Sequence, residues 1–253
     1  MIDSTVHIEN LYLAFDDTII FDQFSLTLQA NHCTCLLGPS GVGKSVLLNL
    51  LAGLSFPNST AVQYTGEIIC GDQQPLTSRI AWMSQSDLLF PWCSAIENVL
   101  SGARLRGTAT PALQEKAHAL FVKTGLSGKE HYFPHQLSGG MRQRVALIRT
   151  LLEDRPIILM DEPFSAVDAI TRYELQILVT ELFKERTVLF VTHDPSEALR
   201  IANSIYVLSG RPVTATAIKM PTTQPLRDFN DPLLISVQME LFHQLTAAKR
   251  QST

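Results

Sequence analysis

The sequence predicts an α/β fold with a mostly parallel β-sheet. Short apolar runs of strand length, at 33–37, 157–161 and 187–192, alternate with longer segments that have a helical pattern. Such an alternation is typical of parallel strands that are connected by helices. The run at 33–37 is followed by a glycine-rich turn and then by an apolar segment of helical length.

The first third of the chain is rich in strand patterns, and one helix interrupts them. The helix is predicted by the apolar segment 46–54, which ends near Gly53. We expect part of this region to form an antiparallel β subdomain. The predicted strands cover residues 6–8, 24–28, 33–37, 68–69 and 80–83.

Residues 87–155 are predicted to form a helical insertion in the α/β core. Ser94–Glu97 has the pattern of a capping box, which starts a helix. Thr110–Pro111 supplies an N-cap and a first-turn proline for a second helix, and Ser138 begins a third. After the insertion, the alternation returns. The later elements are expected at 157–161 (strand), 169–185 (helix), 187–192 (strand) and 195–203 (helix).

The C-terminal tail has two parts of different character. Residues 211–231 are polar, and their composition resembles that of a disordered segment. Residues 232–249 predict a helix, because apolar residues recur there at helical spacing. These residues are Leu234, Val237, Leu241 and Leu245. The tail is too short to form a separate regulatory domain.

The composition argues against several classes of function. The 253-residue chain has 20 Lys and Arg residues against 24 Asp and Glu, with no basic stripe that would favour a nucleic-acid partner. No apolar run reaches the ~18 residues of a membrane-spanning helix, and Met1–Asn10 lacks the apolar segment of a signal peptide. We therefore expect a cytoplasmic protein, whose four cysteines are reduced and mostly buried.

Residues 38–45 read Gly-Pro-Ser-Gly-Val-Gly-Lys-Ser and fit the phosphate-loop pattern G-x-x-x-x-G-K-[ST]. Glycines let the backbone fold around an anion, so that successive N–H groups and a helix N-terminus point at phosphates. Lys44 is predicted to bind the β- and γ-phosphates, and Ser45 to bind Mg²⁺. The alternative is a glycine-rich turn without a ligand, which the strand before it and the helix after it disfavour.

A second nucleotide signal is the apolar run 157–161, which ends in two adjacent carboxylates, Asp161 and Glu162. Neighbouring side chains on a strand point to opposite faces, so the two carboxylates are expected to have different tasks. Asp161 is predicted to hold Mg²⁺, and Glu162 to act on the attacking water as general base or water positioner. The alternative is a pair of acids that only face solvent.

With these motifs, the chain resembles the ATP-binding subunits of ABC transporters from about Ile8 to about Pro212. The resemblance implies a P-loop NTPase core and an ABC ATPase domain at 1–232, with a helical subdomain inserted at about 87–155 and a C-terminal helix or tail at 233–253. It also implies ATP and Mg²⁺ as cofactors, and a homodimer that forms around two ATP molecules. The motifs that carry it are Gly38–Ser45, Gln85, Leu137–Arg144, Ile157–Glu162, Ser165–Asp168 and His193.

The resemblance assigns three sets of site residues. Those implied to be catalytic are Glu162, His193 and Gln85. Those implied to bind the metal are Ser45, Gln85 and Asp161. Those implied to bind the nucleotide are Phe15, Gly38, Pro39, Ser40, Gly41, Val42, Gly43, Lys44, Ser45, Val46, Ser138, Gly139 and Gly140.

Several of these residues also have ordinary structural interpretations. Phe15 either stacks on adenine or is a core residue, and Gln85 taken alone is more typical of a surface amide. Ser138 either caps the ATP of the opposing chain or is a simple helix N-cap. Asp168 either couples the two sites or caps the next helix. His193 is expected to hold the γ-phosphate, because it follows the carboxyl end of a strand, where such sheets bind ligands.

One nucleotide-binding position departs from the family pattern. Val46 stands where the family usually has Thr, whose hydroxyl contacts a phosphate. The backbone N–H remains at this position, so we expect weaker binding of ATP and not its loss.

Within the family, the chain resembles most the importers of nitrate, sulfonates, taurine and thiamine precursors. This resemblance implies a small organic or inorganic anion or a thiamine precursor as cargo, and a periplasmic or lipid-anchored substrate-binding protein. It also implies peripheral attachment to the inner face of the cell membrane through permease subunits. These subunits are expected to dock near Phe90, Pro91 and Trp92, although the segment 88–92 can also be local core.

Two other functions remain open from the sequence. A soluble, non-transport ABC-type ATPase that acts on a macromolecular complex usually carries coiled-coil or duplicated ATPase regions, whereas this chain has one cassette and no heptads. A non-hydrolysing nucleotide-binding scaffold does not need Glu162 or His193.

Overall fold

A computed structural model describes residues 3–56, 62–228 and 231–251 of the chain. Its strands and helices follow one another in the order expected of an α/β protein. The strands are β1 Val6–Phe15, β2 Thr18–Leu28, β3 Cys33–Leu37, β4 Val62–Cys70, β5 Ile80–Met83, β6 Ile157–Asp161, β7 Thr187–Val191, β8 Ser204–Ser209 and β9 Thr214–Ile218. The helices are α1 Lys44–Leu51, α2 Ala95–Leu105, α3 Pro111–Lys123, α4 Gly139–Leu152, α5 Ala169–Phe183, α6 Pro195–Ile201 and α7 Pro232–Gln251.

The central sheet has six strands in the order β5-β6-β7-β3-β8-β9. The first five are parallel, and β9 is antiparallel to β8 at the edge. Every residue of β3, β6 and β7 is buried, which explains why these strands are continuous apolar runs. The predicted mostly parallel sheet is therefore confirmed.

A second sheet of three antiparallel strands has the order β2-β1-β4. Leu13 and Phe21 from this sheet pack with Leu47 of α1 and with Leu36 and Leu189 of the central sheet. The predicted antiparallel β subdomain is confirmed, and it rests on one face of the central sheet. The strand predicted at 68–69 proves to be the end of the longer strand β4.

Three helices lie within the predicted insertion, and α4 packs against both α2 and α3. The capping box at the start of α2 is present: the Glu97 carboxylate accepts hydrogen bonds from the Ser94 amide and hydroxyl, both at 2.8 Å. Thr110 caps α3 by accepting from the Leu113 amide at 3.2 Å. The prediction of helices α2 and α3 from their N-terminal capping residues is therefore confirmed.

Within the polar stretch 211–231, the described residues 211–228 are more ordered than their composition predicts. It contains β9, which pairs with β8, and the buried Arg227, which donates to the carbonyl oxygens of Leu199 and Ala202 at 3.0 and 2.6 Å. The disorder-like interpretation of this stretch was wrong, because an edge strand buries few of its side chains and needs little apolar sequence. The predicted C-terminal helix is confirmed as α7.

The cysteines are free thiols, as expected. Cys33, Cys35 and Cys70 are buried, and Cys93 is half-buried. Among the residues that the structure describes, no helix is long and apolar enough to cross a membrane.

The strand order brings distant parts of the sequence together at the carboxyl ends of the central strands. Because β3, β5, β6 and β7 are parallel, their carboxyl ends lie side by side. The segments that follow these ends are the phosphate loop (Gly38–Ser45), Gln85, Glu162 and His193. The fold therefore assembles the predicted catalytic residues at the carboxyl ends of the strands of the central sheet.

Candidate nucleotide-binding site

The phosphate loop takes a backbone conformation that its glycines permit. Gly38 and Gly43 have φ values of 152° and 120°, which side-chain-bearing residues rarely adopt. A Cβ atom on Gly38 would lie only 2.6 Å from the carbonyl oxygen of Leu208 on the neighbouring strand β8. The loop therefore folds tightly against the sheet before it enters α1.

Lys44 lies across the loop that precedes it. Its Nζ donates to the carbonyl oxygens of Gly38 and Pro39, both at 2.8 Å, and the side chain is largely buried. Burial lowers the pKa of Lys44, and the nearby carboxylates of Glu162 and Asp161 partly oppose that shift. The loop thus holds a cation close to its backbone N–H groups, an arrangement that fits a polyphosphate.

Ser45 and Asp161 connect α1 to the end of β6. The Ser45 hydroxyl donates to Asp161 Oδ2 at 2.8 Å. Burial raises the pKa of Asp161, while the hydrogen bond from Ser45 acts in the opposite direction. A hydroxyl and a carboxylate beside a phosphate site are hard oxygen ligands of the kind that Mg²⁺ prefers, so these residues fit the metal.

Glu162 directly follows the last residue of β6, and its carboxylate has partners other than Ser45. Its Oε2 accepts from Gln85 Nε2 at 3.2 Å and lies 3.1 Å from His193 Nδ1. The residue has a φ of 48°, and its amide donates to the Val191 carbonyl oxygen at 2.9 Å. The three predicted catalytic side chains therefore meet at one carboxylate oxygen.

The signature turn (Ser138–Gly140) opens α4 and lies apart from these contacts. Ser138 is the N-cap residue and accepts from the Met141 amide at 3.3 Å. Among the hydrogen bonds of the described residues, none joins this turn to the phosphate loop of the same chain. One chain thus presents an exposed serine, two glycines and a helix N-terminus, which together can bind an anion from elsewhere.

The structure also shows the surroundings of the residues with alternative interpretations. The Phe15 ring is half-buried, and its centroid lies 5.0 Å from that of Phe56 in an edge-on arrangement. Asp168 caps α5 by accepting from the Thr171 amide at 3.1 Å. Trp92 is 73% exposed, which contradicts its interpretation as a core residue. Val46 is half-buried at the start of α1.

Two hydrogen-bonding side chains near the site, one buried and one half-buried, were missed by the sequence analysis. Gln143 lies within the motif Leu137–Arg144, but the sequence analysis assigned it no function. Arg172 of α5 donates to the Val167 carbonyl oxygen at 2.8 Å and lies 3.7 Å from Asp194 and 3.6 Å from Glu197. No local pattern reveals such contacts, because they join elements that are far apart in the sequence.

Comparisons of this chain with family models and with known proteins all identify the same family. A family model described as ABC transporter matches residues 21–165. The chain is 39% identical over 236 residues to the aliphatic sulfonates import ATP-binding protein SsuB 1 of Rhodococcus jostii, covering 92% of this chain and 90% of that protein. It is 37% identical over 209 residues to the taurine import ATP-binding protein TauB of Escherichia coli O157:H7, covering 82% and 80%.

A solved structure agrees with the sequence relatives. The dimeric structure of MJ0796, a bacterial ABC transporter cassette, matches with a TM-score of 0.68 and 27% identity, covering 80% of this chain and 93% of that one. The chain therefore belongs to the ABC transporter family, and it is an ATP-hydrolysing subunit of that family.

Proposed function

We propose that this chain is the ATPase subunit of an importer, and that two copies close around two ATP molecules. The observation that carries the proposal is the division of the site within one chain. One half of the site lies at the carboxyl ends of the central strands and comprises Lys44, Ser45, Asp161 and Glu162. Among the described residues, no hydrogen bond joins the signature turn to this phosphate loop. A second copy is the simplest source of the missing half.

The proposed tasks follow from the contacts. The phosphate loop binds the triphosphate through its backbone N–H groups and through Lys44. Ser45 and Asp161 hold Mg²⁺, with Gln85 reaching it from the end of β5. Held by these residues, Mg²⁺ would supply positive charge that offsets the negative charge of the phosphates. Phe15 offers its remaining ring surface to adenine.

Glu162 is the proposed general base or water positioner. Its carboxylate is held between Gln85 and His193, so its orientation is restricted before any water arrives. His193 is largely exposed and therefore accessible to the γ-phosphate that it is proposed to hold. The signature turn of the second copy supplies donors on the opposite side of the same phosphate.

The proposed docking surface for membrane permease subunits is Phe90–Trp92. The Phe90 and Trp92 rings stack with centroids 5.5 Å apart and are 38% and 73% exposed. Asn98 holds the Phe90 backbone through bonds of 2.7 and 3.1 Å, and Arg149 donates to the Leu88 carbonyl oxygen at 2.8 Å. A rigid pair of exposed aromatic rings is typical of the anchors that carry binding energy in an interface.

A cleft of about 340 Å³ lies beside these rings and is lined in part by Trp82, Phe90 and Leu105. A short helix of the permease is the occupant that we propose for it. In such an assembly the chain lies at the inner face of the membrane and works with a substrate-binding protein. The similarity to proteins named for sulfonate and taurine import supports a small organic anion as cargo.

Reconstituted transport tests this function. The genes beside that of this chain are first searched for polytopic membrane subunits and a substrate-binding protein, and proteoliposomes are prepared from these proteins and the chain. ATP is expected to drive uptake of labelled taurine or an alkanesulfonate, and Glu162→Gln is expected to abolish uptake. Hydrolysis of ATP without co-purification of membrane subunits would instead favour a non-transport ATPase. Uptake of neither sulfonate compound, with hydrolysis stimulated by the membrane subunits, would restrict the error to the cargo.

A further inference from the structure

The helix that follows the signature turn is joined to the segment that carries Glu162 by one buried glutamine. Gln143 of α4 is 4% exposed. Its Nε2 donates to the Glu162 carbonyl oxygen at 2.9 Å and to Ser165 Oγ at 3.1 Å. Its Oε1 accepts from the Ala166 amide at 2.7 Å. The side-chain amide therefore uses both of its hydrogens and its oxygen on this one segment.

A second contact joins the same two elements. A Cβ atom at Gly140 would lie 2.9 Å from the Ala166 carbonyl oxygen, so the first turn of α4 touches the segment through its bare backbone. Two contacts, one from Gly140 and one from Gln143, leave little room for relative movement. The start of α4 and residues 162–166 thus form one packed unit.

The two ends of this unit belong to different ATP sites. This step rests on the proposed arrangement of two chains. In that arrangement Glu162 acts on the ATP of its own phosphate loop, whereas the signature turn contacts the ATP of the partner subunit. The packed unit therefore spans from one site to the other within a single chain.

We propose that Gln143 is a positioning residue that serves both ATP sites. Its hydrogen bonds hold the backbone of Glu162 in the site of its own chain, and they hold α4 so that the signature turn is correctly placed for the ATP of the partner subunit. Gln143 touches no phosphate ligand of the phosphate loop, so it acts only through the two elements that it joins. Removal of its side chain would therefore remove hydrogen bonds that support both the start of α4 and the backbone of Glu162.

A mixture of two inactive variants isolates a single working site. A chain with Lys44→Ala lacks the phosphate-loop cation, and a chain with Ser138→Arg lacks a working signature turn. Only their heterodimer has one complete site. That site takes the phosphate loop and Glu162 from the Ser138→Arg chain and the signature turn from the Lys44→Ala chain. Gln143→Leu is then added to either chain in turn, and turnover is measured at saturating ATP.

Gln143→Leu in the Ser138→Arg chain is expected to lower turnover at least tenfold, because it acts beside the working Glu162. The decisive case is Gln143→Leu in the Lys44→Ala chain, whose own Glu162 serves no working site. The proposed positioning of the signature turn predicts a fall of at least threefold there as well, because the working signature turn loses the support of Gln143. The KM for ATP is expected to change less than twofold in both cases.

Thr180→Val in each chain is the matched control. It removes a buried hydrogen bond of 2.7 Å to the Gln176 carbonyl oxygen within α5 and touches neither end of the packed unit. Gln143→Glu, which keeps the acceptor for the Ala166 amide, is measured in parallel in case the leucine variant does not fold. Melting curves establish that each chain is folded.

The outcomes separate the possibilities. Unchanged turnover with Gln143→Leu in the Lys44→Ala chain restricts Gln143 to its own Glu162 and overturns its proposed role for the partner's site. Unchanged turnover with the substitution in either chain removes any positioning task. An inactive mixture before Gln143 is altered counts against the two-chain arrangement itself, which keeps the two failures distinct.

Discussion

His193 and Glu162 come from the ends of different strands, and their side chains meet with 3.1 Å between Nδ1 and Oε2. Gln85 donates to the same carboxylate oxygen from a third strand. This geometry restrains Glu162 from two sides, which a residue that orients a water molecule requires. It also makes the carboxylate sensitive to changes at either neighbour.

Glu162→Gln is expected to preserve ATP binding and to trap the closed dimer. The substitution removes the basic carboxylate but keeps the shape and an oxygen that accepts from Gln85. Light scattering with ATP and Mg²⁺ measures the size, with Mg²⁺-ADP as the control. A variant that binds ATP fully and stays monomeric at saturating concentration contradicts the two-chain arrangement.

Lys44→Ala and Ser138→Arg are expected to be inactive for different reasons. Loss of Lys44 weakens nucleotide binding directly, since it removes the cation that the loop carbonyls hold beside the phosphates. Ser138→Arg is expected to bind ATP with an affinity close to that of the wild type, because the signature turn serves the partner subunit. A mixture of the two variants is expected to regain hydrolysis, and inactivity of confirmed heterodimers would count against a shared site.

Trp92→Ala is expected to weaken assembly with permease subunits by about 2 kcal/mol or more, as for other exposed aromatic anchors. Because Trp92 is 73% exposed, the melting temperature of the isolated chain is expected to change little. A core tryptophan would instead cost about 3–5 kcal/mol of unfolding free energy. Pull-down and thermal melting are carried out together, and a large fall in melting temperature with normal assembly refutes the docking surface.

Asp161→Asn is expected to stabilise the nucleotide-free protein at neutral pH while abolishing Mg²⁺-dependent hydrolysis. Burial raises the pKa of Asp161 above its usual 3.8, so the folded state holds the proton more tightly than the unfolded state does. Stability is therefore lost as pH rises from the unfolded pKa through the folded pKa, and the loss is complete above that range.

The asparagine does not titrate, and its amide oxygen can still accept from Ser45. The difference in melting temperature between Asp161→Asn and the wild type is thus expected to grow from roughly pH 4 to pH 7. Ser45→Ala serves as a comparison, because it removes the same hydrogen bond and leaves the carboxylate buried. A difference that does not vary with pH would contradict the assignment of this cost to Asp161.

Val46→Thr is expected to tighten the binding of ATP. The two side chains have nearly the same shape, and the added hydroxyl can donate to a phosphate oxygen from the start of α1. A hydrogen bond to a charged group contributes about 1.5–3 kcal/mol, which corresponds to roughly tenfold or more in affinity. Calorimetric titration with ATP measures the change. An unaltered dissociation constant would show that this position does not reach the nucleotide.

The sequence predicted four of the six central strands, β3, β5, β6 and β7, because a buried strand of a parallel sheet is a short apolar run that can be recognised on its own. The polar residues at the ends of β3 and β6 were recognised for the same reason, since each follows such a run directly. Strands β8 and β9 were not predicted. Only one of the five residues of β9 is buried, and its pairing with β8 decides its position.

The hydrogen bonds around the candidate site were beyond the reach of local patterns. Gln143 contacts the backbone of Glu162 from α4, and Arg172 of α5 lies close to the carboxylates of Asp194 and Glu197, so each contact joins separate parts of the chain. A buried glutamine inside a helix looks like a surface residue until the packing is known. Conversely, the capping signals of α2 and α3 were predicted because donor and acceptor are within a few residues of each other.

The cysteines give this chain a built-in attachment point for a spectroscopic label. Burial raises the pKa of Cys33 to about 12 and also raises the pKa of Cys35 and Cys70, so these thiols are scarcely ionised at neutral pH. Cys93 is the half-buried exception among the four, and it directly follows Trp92. A maleimide dye should therefore select Cys93 without mutagenesis and report on whatever covers the aromatic rings beside it.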